Sequence, residues 1–345
     1  MILRKKEIYD HPNHRSSHMI PTPRGGGIGI FIAFILVFGW SLDWTSPDFA
    51  LSDWTWFFLG AVSIFWIGIW DDFHSARRRT RLAIQLFASV CLLLWLMDPF
   101  QKWIYSLSQM AILSRIFSDY PIHLLGQLQF ISVLMQIVIL IGFVWVINLY
   151  NFMDGINGIA GLQSAFMGLS ISFLVYTSHG YSEIVLGFLV LAFASLGFLV
   201  WNFPIAKVFL GDCGSNFIGY MLAGFSAWSY LSGSIEIWSL LVLSSLFWID
   251  ATFTLFKRAY RRERIFDAHK DHVYQILSRL WNSHSYVSLL FLFINCFILF
   301  PISVWIQSNP DWGWYVFLGL MILYLGIYTF LSNLSHKTNG TRTTT

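Results

Sequence analysis

The chain has 345 residues, of which 56% are hydrophobic, 19% aromatic and 11% charged, with a formal net charge of +3 at pH 7. A soluble domain carries about 25% charged residues, so this composition excludes an ordinary soluble protein and predicts an integral membrane protein. The three cysteines, Cys91, Cys213 and Cys296, lack paired spacing, which argues against a disulfide framework or a zinc site.

Long apolar segments follow one another along the chain. A spanning helix needs about 20 apolar residues to cross roughly 30 Å of hydrocarbon. Helices also satisfy their own backbone groups in lipid. We therefore expect an all-α, polytopic membrane helix bundle, one domain over residues 1–345. The sequence predicts ten spans, near residues 26–42, 54–70, 82–98, 129–147, 158–177, 184–202, 213–231, 235–256, 285–306 and 313–333.

The basic residues predict which side of the membrane each loop faces. Of 21 Lys and Arg residues, 19 lie in alternate connections, all on one side of the ten predicted spans. By the positive-inside rule that side is cytoplasmic, and both termini lie inside. The cytoplasmic parts are then an N-terminal segment (1–25), the loop after the second span, the segment around Lys207, a loop (257–284), and a tail (334–345) expected to be disordered.

A polar stretch, NLYNFMDGINGIAG (148–161), interrupts the apolar pattern between the fourth and fifth predicted spans. The alternation of spans places it on the cytoplasmic side. Gly155 and Gly158 would let the backbone approach a ligand closely, and the start of the next helix presents N–H groups to an anion. The stretch therefore predicts an anion-binding loop.

Aspartates accumulate on the same predicted side. Any one of them could be a solvated cap at the interface, but ionisable residues at a membrane boundary often mark a site. Mg²⁺ takes one or two carboxylates together with substrate phosphates, which Asp154 and Asp212 could supply. Arginines could then hold phosphate oxygens. The aspartates are Asp71, Asp72, Asp154, Asp212, Asp267 and Asp271, and the candidate arginines are Arg79, Arg81, Arg261 and Arg262.

Two further motifs each leave alternatives open. His269 and His272 in AHKDHVYQ share a helix face at i and i+3, where they could donate to phosphate, bind a metal or sit at a wet interface. In PTPRGGG (21–27), Arg24 and its glycines suit either phosphate contact or tight helix packing.

Taken together, these motifs resemble those of the polyprenyl-phosphate N-acetylhexosamine-1-phosphate transferases, also called glycosyltransferase family 4. The resemblance runs in order from about residue 10 to 280, and it looks closest to the branch that initiates O-antigen synthesis. The segments that carry it are PTPRGGG (21–27), GIWDD (68–72), RTRLAIQ (79–85), NFMDGINGIAG (151–161), VFLGDCGS (208–215) and HKDHVYQ (269–275).

The resemblance implies catalytic roles for four residues. Asp71 and Asp72 match the paired aspartates expected to bind the lipid phosphate or act as a base. Asn151 and Asp154 match an Asn-x-x-Asp motif near the metal and the nucleophile, and Asp212 matches a Mg²⁺ ligand. Mn²⁺ is an alternative to Mg²⁺, and Asp154 is a second expected metal ligand.

The resemblance also implies substrate-binding residues. Phe209 matches a ring that stacks on uracil, and Asn202 falls near the nucleoside. His269 and His272 are expected near the phosphates or the sugar. Arg24, Arg79 and Arg81 complete the predicted substrate-binding set. Asn157 departs from the pattern, because many relatives have Asp there, so it cannot be an anionic ligand.

The implied reaction moves N-acetylhexosamine-1-phosphate from a UDP-sugar to undecaprenyl phosphate and releases UMP. We expect it on the cytoplasmic face of a bacterial inner membrane, with membrane lipid and a homodimer as further partners and no nucleic acid. One alternative is a secondary transporter, for which Asp250 within the eighth span would be the intramembrane carboxylate. The other is a non-catalytic lipid-phosphate-binding assembly protein.

Overall fold

A computed structural model describes residues 9–10, 21–42, 51–109, 121–263 and 269–342, with backbone alone at 9, 51–53, 107–109, 121–129 and 332–342. Described helices are α1 Gly26–Ser41, α2 Leu51–His74, α3 Arg78–Trp95, α4 Met97–Gln109, α5 Pro121–Met153, α6 Ile159–His179, α7 Glu183–Asn202, α8 Gly211–Leu231, α9 Ile237–Leu243, α10 Ser245–Tyr260, α11 Val273–Leu280, α12 His284–Ile294, α13 Phe300–Ser308 and α14 Gly313–Arg342. A π-helix (Asn295–Leu299) and a 3₁₀ turn (Pro310–Trp312) join the last helices, and β1 (Tyr9–Asp10) pairs antiparallel with β2 (Thr22–Pro23).

The all-α membrane bundle predicted from the sequence is confirmed, and each of the ten apolar segments is helical. Among the described residues, six helices are long and apolar enough to cross a membrane, and two bent pairs raise the number to eight. The other two segments are α1, with only 16 residues, and α8. The chain is thus a multi-pass membrane protein, while the count of ten spans stays a prediction.

The segment predicted as one span at 235–256 is broken at Ser244. Helices α9 and α10 meet there at a bend of 74°. The Ser244 hydroxyl donates to the Leu240 carbonyl oxygen at 2.8 Å, and such back-bonding from a serine pair is a known cause of helix bending. A second bend of 58° separates α3 from α4, which packs Phe100 into the core.

The C-terminal segment also differs from expectation. The sequence predicts disorder from residue 334, but α14 continues to Arg342. No proline follows Pro310, so nothing in the sequence interrupts the backbone hydrogen bonds of the helix. Residues 343–345 lie outside the described part of the chain. The predicted loop 257–284 contains a further helix, α11.

Helix α8 lies at the centre of the bundle, packed against α1, α2, α5 and α7. Its first turn is polar, and its residues from Cys213 to Phe225 are buried. The approach to α1 is close enough that a Cβ on Gly27 would overlap the Gly214 backbone. Glycine is therefore needed there for helix packing, the second of the two interpretations open for PTPRGGG.

Candidate active site at the converging helix ends

Five segments that the sequence marks as motifs meet at one end of the bundle. Three backbone hydrogen bonds join PTPRGGG to the segment before α8: Phe209 N–H to Pro23 O at 2.8 Å, Gly26 N–H to Phe209 O at 2.8 Å, and Gly27 N–H to Leu210 O at 2.9 Å. The C-terminal ends of α2 and α5 and the N-terminal end of α3 face the same place, as the contacts below show. The site is thus built from helix ends far apart in sequence.

Asp71, Arg81 and Asp212 form the centre of the site. Arg81 Nη1 donates to Asp71 Oδ2 at 2.7 Å and lies 3.7 Å from Asp212 Oδ2. Asp71 and Asp212 each turn a carboxylate oxygen toward the same nitrogen of Arg81, so the two carboxyl groups lie close together. Two carboxylates this close repel each other unless one of them takes up a proton or a cation binds nearby.

Asn151 orients Asp212 from the end of α5. Its side-chain N–H group donates to Asp212 Oδ1 at 2.7 Å and to Ser215 Oγ at 3.1 Å. The Ser215 hydroxyl in turn donates to the Gly211 carbonyl oxygen at 3.2 Å. One Asp212 oxygen is therefore fixed by an amide, while the other faces Arg81 and Asp71. Sequence reasoning missed Ser215, although it lies inside the VFLGDCGS motif.

Asp72 points to a different partner from its neighbour Asp71. Its carboxylate accepts hydrogen bonds from the backbone N–H groups of Asp212 at 2.9 Å and Cys213 at 3.1 Å. A negative charge at a helix N-terminus satisfies unpaired N–H groups and complements the helix dipole. Asp72 thus holds α8, and with it Asp212, in place. Its predicted catalytic role stays a prediction.

Asp154 lies partly buried in the loop between α5 and α6. Its pKa is raised to about 7, mainly by burial and also by the negative charge of Asp72, while Arg24 opposes the shift. No described residue donates a hydrogen bond to its carboxylate. An acid in such surroundings, close to other carboxylates, suits a cation ligand, and Mg²⁺ accepts oxygen donors of this kind.

Few side chains that could bind a metal ion lie together among the described residues. No group of three or more His, Cys, Asp or Glu side chains is arranged there to hold a metal ion. Mg²⁺ needs only one or two carboxylates when substrate phosphates and water complete its shell. Asp212, with an oxygen beside a second carboxyl group, and Asp154 therefore fit Mg²⁺ by the chemistry of their donor atoms.

The predicted arginines separate into two groups. Arg24 donates to Asp10 Oδ1 at 2.8 Å. Burial lowers its pKa, but the attraction of Asp10, Asp212 and Asp72 outweighs burial, so the net shift is upward. Arg24 and Arg81 thus face the acidic cluster. Arg79 is exposed and makes no ion pair within the described part of the chain, so the structure does not bring it to the site.

Asn202 and Phe209 lie at the edge of the cluster. The side-chain oxygen of Asn202 accepts from Gly158 N–H at 2.7 Å, and its N–H group donates to Val208 O at 2.9 Å. Asn202 therefore connects the loop after Asp154 to the segment before α8. Phe209 is partly exposed, and its stacking on a base stays a prediction.

The histidine motif is anchored by Asp250. His272 Nδ1 lies 3.4 Å from Asp250 Oδ1, which also accepts from Val273 N–H at 3.0 Å. His269 stacks on His272 with ring centroids 5.0 Å apart. Asp250 therefore caps α11 and does not stand alone in the membrane, as the transporter alternative would need.

Tyr274 links this motif to the polar loop. Its hydroxyl donates to the Phe152 carbonyl oxygen at 2.9 Å, and a Cβ on Gly155 would overlap that hydroxyl. Asn148, at the start of the polar stretch, instead pairs with Gln85, its N–H group donating to Gln85 Oε1 at 2.9 Å. Neither Tyr274 nor Gln85 was singled out from the sequence, although both lie within its motifs.

Comparison with known proteins agrees with this geometry. The glycosyl transferase family 4 model matches residues 54–230, which include the acids of α2, the polar loop and the start of α8. The chain is 26% identical over 337 residues to a probable undecaprenyl-phosphate N-acetylglucosaminyl 1-phosphate transferase of Bacillus subtilis, covering 95% of this chain and 85% of the relative.

Two other relatives are similar over comparable lengths. An undecaprenyl-phosphate alpha-N-acetylglucosaminyl 1-phosphate transferase of Thermotoga maritima is 25% identical over 300 residues, 87% of this chain and 83% of its own. A decaprenyl-phosphate N-acetylglucosaminephosphotransferase of Mycobacterium tuberculosis is 28% identical over 353 residues, 93% of this chain and 81% of its own. The chain therefore belongs to glycosyl transferase family 4, the family of polyprenyl-phosphate N-acetylhexosamine-1-phosphate transferases.

Proposed function

We propose that this protein transfers N-acetylhexosamine-1-phosphate from a UDP-sugar to undecaprenyl phosphate, giving undecaprenyl-diphospho-sugar and UMP. UDP-N-acetylglucosamine is the first donor to test, because the relatives above are named for N-acetylglucosamine. We place the reaction on the cytoplasmic face of a bacterial inner membrane, as the first step of O-antigen or another cell-surface glycan.

The observation that carries this proposal is the cluster of Asp71, Asp212 and Asp154 with Arg81 and Arg24 at the helix ends. Carboxylates for a cation and guanidinium groups for phosphate oxygens are the parts that phosphoryl transfer needs. Their place at helix ends, not mid-membrane, suits one soluble and one lipid-anchored substrate. The same location disfavours a transporter, whose sites lie near the bilayer midplane.

In the proposed reaction an oxygen of the lipid phosphate attacks the sugar-bearing phosphorus. The bond between that phosphorus and the bridging oxygen breaks, and UMP leaves with this oxygen. Mg²⁺ or Mn²⁺ bound at Asp212 and Asp154 would supply positive charge to the phosphate oxygens. The lipid phosphate, a monoester with a second pKa of about 6, is largely ionised at neutral pH and needs no strong base.

The protein's own residues then position and neutralise charge. Arg81 holds Asp71 and leaves N–H donors for a phosphate. Asn151 keeps one Asp212 oxygen fixed, so the other keeps its direction. Asp72 fixes the backbone that carries Asp212. Such preorganised groups need no rearrangement as charge moves in the transition state.

The test uses washed membranes that contain the full chain. They receive undecaprenyl phosphate, Mg²⁺ and a panel of UDP-N-acetylhexosamines, and UMP release and a new lipid-linked sugar are followed. We expect UMP and lipid product with one donor, only when lipid and metal are both present. An inserted protein that gives no product with any donor would contradict the proposal and favour the non-catalytic alternative.

A further inference from the structure

Two amide side chains outside the sequence motifs are buried against each other. Gln163 lies on α6 and Asn295 begins the π-helix, and each is 2% exposed. Asn295 Nδ2 donates to Gln163 Oε1 at 2.6 Å. Gln163 Nε2 in turn donates to the backbone carbonyl oxygen of Leu243 at 3.4 Å. The two amides thus join three separate elements, which are α6, the π-helix and α9.

Leu243 is the last residue of α9, directly before the bend of 74° between α9 and α10. The last carbonyl groups of a helix lack intrahelical partners, and within a membrane they must find other partners in the protein. Side chains supply such partners at this bend. Two donors belong to the bent segment itself, Ser244 and Trp248, and the third is Gln163. Of these three donors, Gln163 is the one that comes from another helix.

Helix α9 is also held at its N-terminal end and in its middle. The Glu236 N–H group, just before α9, donates to Gln307 Oε1 at 3.0 Å. The hydroxyl groups of Ser239 and Ser303 each donate to the backbone carbonyl oxygen of the other residue, at 3.0 and 3.3 Å. These contacts come from α13. Of the contacts that other elements make with α9, the one from Gln163 therefore lies nearest the turn into α10.

The π-helix that begins at Asn295 has a cause in the sequence. Pro301 lies two residues after the end of this π-helix. Because proline has no N–H group, the α-helical hydrogen bond from residue 301 to the Phe297 carbonyl oxygen cannot form. The π-helix is a rare conformation that often occurs at functional sites. Its first residue is the one that holds Gln163.

The amide pair is more costly than an apolar pair would be. Asn295 Oδ1 is buried and has no hydrogen-bond partner among the described residues. An unpaired buried polar group costs free energy, and leucines would fill a similar volume without that cost. Packing therefore does not account for the two amides. A hydrogen bond to the end of α9 adds a defined direction, which an apolar contact does not supply.

The first turns of α10 pack against the end of α5 that carries Asn151. Phe247 is 1% exposed, and its ring lies against Tyr150 with the ring centroids 5.3 Å apart. Tyr150 directly precedes Asn151, whose side chain donates to Asp212 Oδ1. A change in the direction of α10 would therefore move the end of α5 and reach Asp212 through Asn151.

We propose that Gln163 and Asn295 are positioning residues, which hold the bend between α9 and α10 and thereby the place of α10 against the end of α5. The inference rests on the proposed function, because Asn151 fixes a ligand of the proposed cation. In the described part of the chain, no hydrogen bond joins either amide to the acidic cluster. Their loss should therefore lower kcat and leave KM unchanged, since it misplaces a group that acts in the transition state.

Two measurements on the full chain purified in detergent test this inference. Hydrogen–deuterium exchange over residues 247–252 reports how often the start of α10 opens, and it needs no catalytic activity. Initial rates of UMP release with undecaprenyl phosphate and UDP-N-acetylglucosamine, per amount of folded protein, give kcat and KM. The variants Gln163→Met and Asn295→Leu break the same pair from opposite sides, so either one alone decides the outcome.

Ser164→Ala is the matched control. Ser164 is the next residue on α6 and is also buried, but its hydroxyl accepts from Ser195 Oγ at 2.8 Å. Ser195 lies on α7. The control thus removes a buried polar contact from the same turn of α6 without touching the bend between α9 and α10.

We expect Gln163→Met and Asn295→Leu to speed exchange over residues 247–252 at least tenfold and to lower kcat about fivefold, with both KM values within twofold of wild type. Ser164→Ala should change none of these values by more than twofold. Exchange no faster than in the control would overturn the inference. Faster exchange with an unchanged kcat, or a raised KM with an unchanged kcat, would also overturn it.

Exchange at the bend does not depend on turnover, so the inference and the proposed function can fail separately. Membranes that make no lipid-linked sugar would refute the proposed transfer, whatever the exchange rates are. Active membranes together with normal exchange in both variants would leave the transfer intact and refute the role of the two amides.

Discussion

Two aspartates, Asp72 and Asp250, do the same local work in different surroundings. Each lies on one helix and accepts hydrogen bonds from the backbone N–H groups at the start of another: Asp72 at α8, with distances of 2.9 and 3.1 Å, and Asp250 at α11, with distances of 3.0 and 3.5 Å. In both places a charged cap fixes a helix that carries residues of the site.

Their neighbours differ. Asp250 is fully buried, and Thr254 and His272 complete its contacts, so its oxygens are all engaged within the protein. Among the described residues, Asp72 is surrounded by three more acids, Asp71, Asp154 and Asp212, and by two arginines, Arg24 and Arg81. The carboxylate of Asp250 thus has all its partners within the protein, whereas the group of acids around Asp72 carries excess negative charge. The excess negative charge indicates that a cation binds near Asp72 and not near Asp250. Substitutions at the two centres should therefore affect activity and stability differently.

Replacement of Asp212 should have the largest effect. Asp212→Asn keeps the size of the side chain but removes the charge that the proposed cation needs. Loss of one electrostatic group of this kind costs about 10²–10³ in kcat, so we expect about 10³-fold lower activity at saturating Mg²⁺. The measurement is UMP release from membranes with equal amounts of inserted protein.

Asp98→Asn is the control for that change. Asp98 is an exposed acid that forms an i,i+4 ion pair with Lys102. It follows the C-terminal end of α3, whereas the site lies at the N-terminal end, and we expect its loss to leave activity within twofold. Full activity of Asp212→Asn at saturating Mg²⁺ would remove Asp212 from the metal site.

Two nearby arginines provide the next comparison. Arg81 contacts Asp71 and Asp212, and Arg79 is exposed. Arg81→Gln leaves carboxylates unneutralised and removes a phosphate donor, so we expect about 100-fold lower activity. Arg79→Gln should cost less than twofold. Initial rates at several lipid phosphate concentrations check both, and equal losses for the two variants would contradict the assignment.

The exposed position of Arg79 could not be predicted from the sequence. The RTRLAIQ motif places Arg79 and Arg81 in one helical turn. Residues two positions apart in an α-helix, however, point about 200° apart around the helix axis. Only one of them can face the site, and the choice depends on how α3 is rotated against α2. That rotation is set by packing, for which the motif alone carries no information.

The fold could be predicted from the sequence to a greater extent than the contacts between side chains. Apolar length predicted the ten long helical segments but not α11, and the motifs predicted which helix ends converge. The cap formed by Asp72 could not be predicted, because it joins residues 140 and 141 positions apart. The cap formed by Asp250 was missed for the same reason, and this residue alone suggested a transporter. The bend at Ser244 was hidden by continuous apolar sequence.

Substitution of the two capping aspartates should have different effects on activity and on stability. Asp72→Asn and Asp250→Asn each keep one carbonyl oxygen for the helix N-terminus and lose one acceptor, a change of about 1 kcal/mol. We expect Asp72→Asn to lower activity about tenfold with a small change in thermal stability, since it disturbs the backbone of Asp212. Asp250→Asn should lower thermal stability more, because it leaves a buried N–H group poorly satisfied.

Activity and thermal unfolding in detergent, measured on the same preparations, test this pair. Asp250→Ala removes both acceptors and should lower stability further, by about 1–3 kcal/mol. A larger activity loss in Asp250→Asn than in Asp72→Asn would reverse the comparison and move the chemistry toward the histidine motif.

The smallest expected loss of activity concerns the contact between Gly155 and Tyr274, which joins the loop of Asp154 to the helix capped by Asp250. In Gly155→Ala the new methyl group would overlap the Tyr274 hydroxyl, which is buried and donates to Phe152 O. The loop that carries Asp154 must then shift, and we expect about fivefold lower activity. Tyr274→Phe removes the overlapping hydroxyl, so the double variant should recover most of that loss. The two changes should thus couple by about 1 kcal/mol, within the usual range for residues in contact.

Gly142→Ala is the matched control, because a Cβ there meets no atom within 4 Å and the residue lies on α5, which leads into the same loop. Its activity should equal that of the unaltered protein. If Tyr274→Phe deepened the defect of Gly155→Ala, the hydroxyl contact would not be what positions the loop. Asp154 and the cap formed by Asp250 would then act independently, because Tyr274 joins α11 to the end of α5 and to that loop.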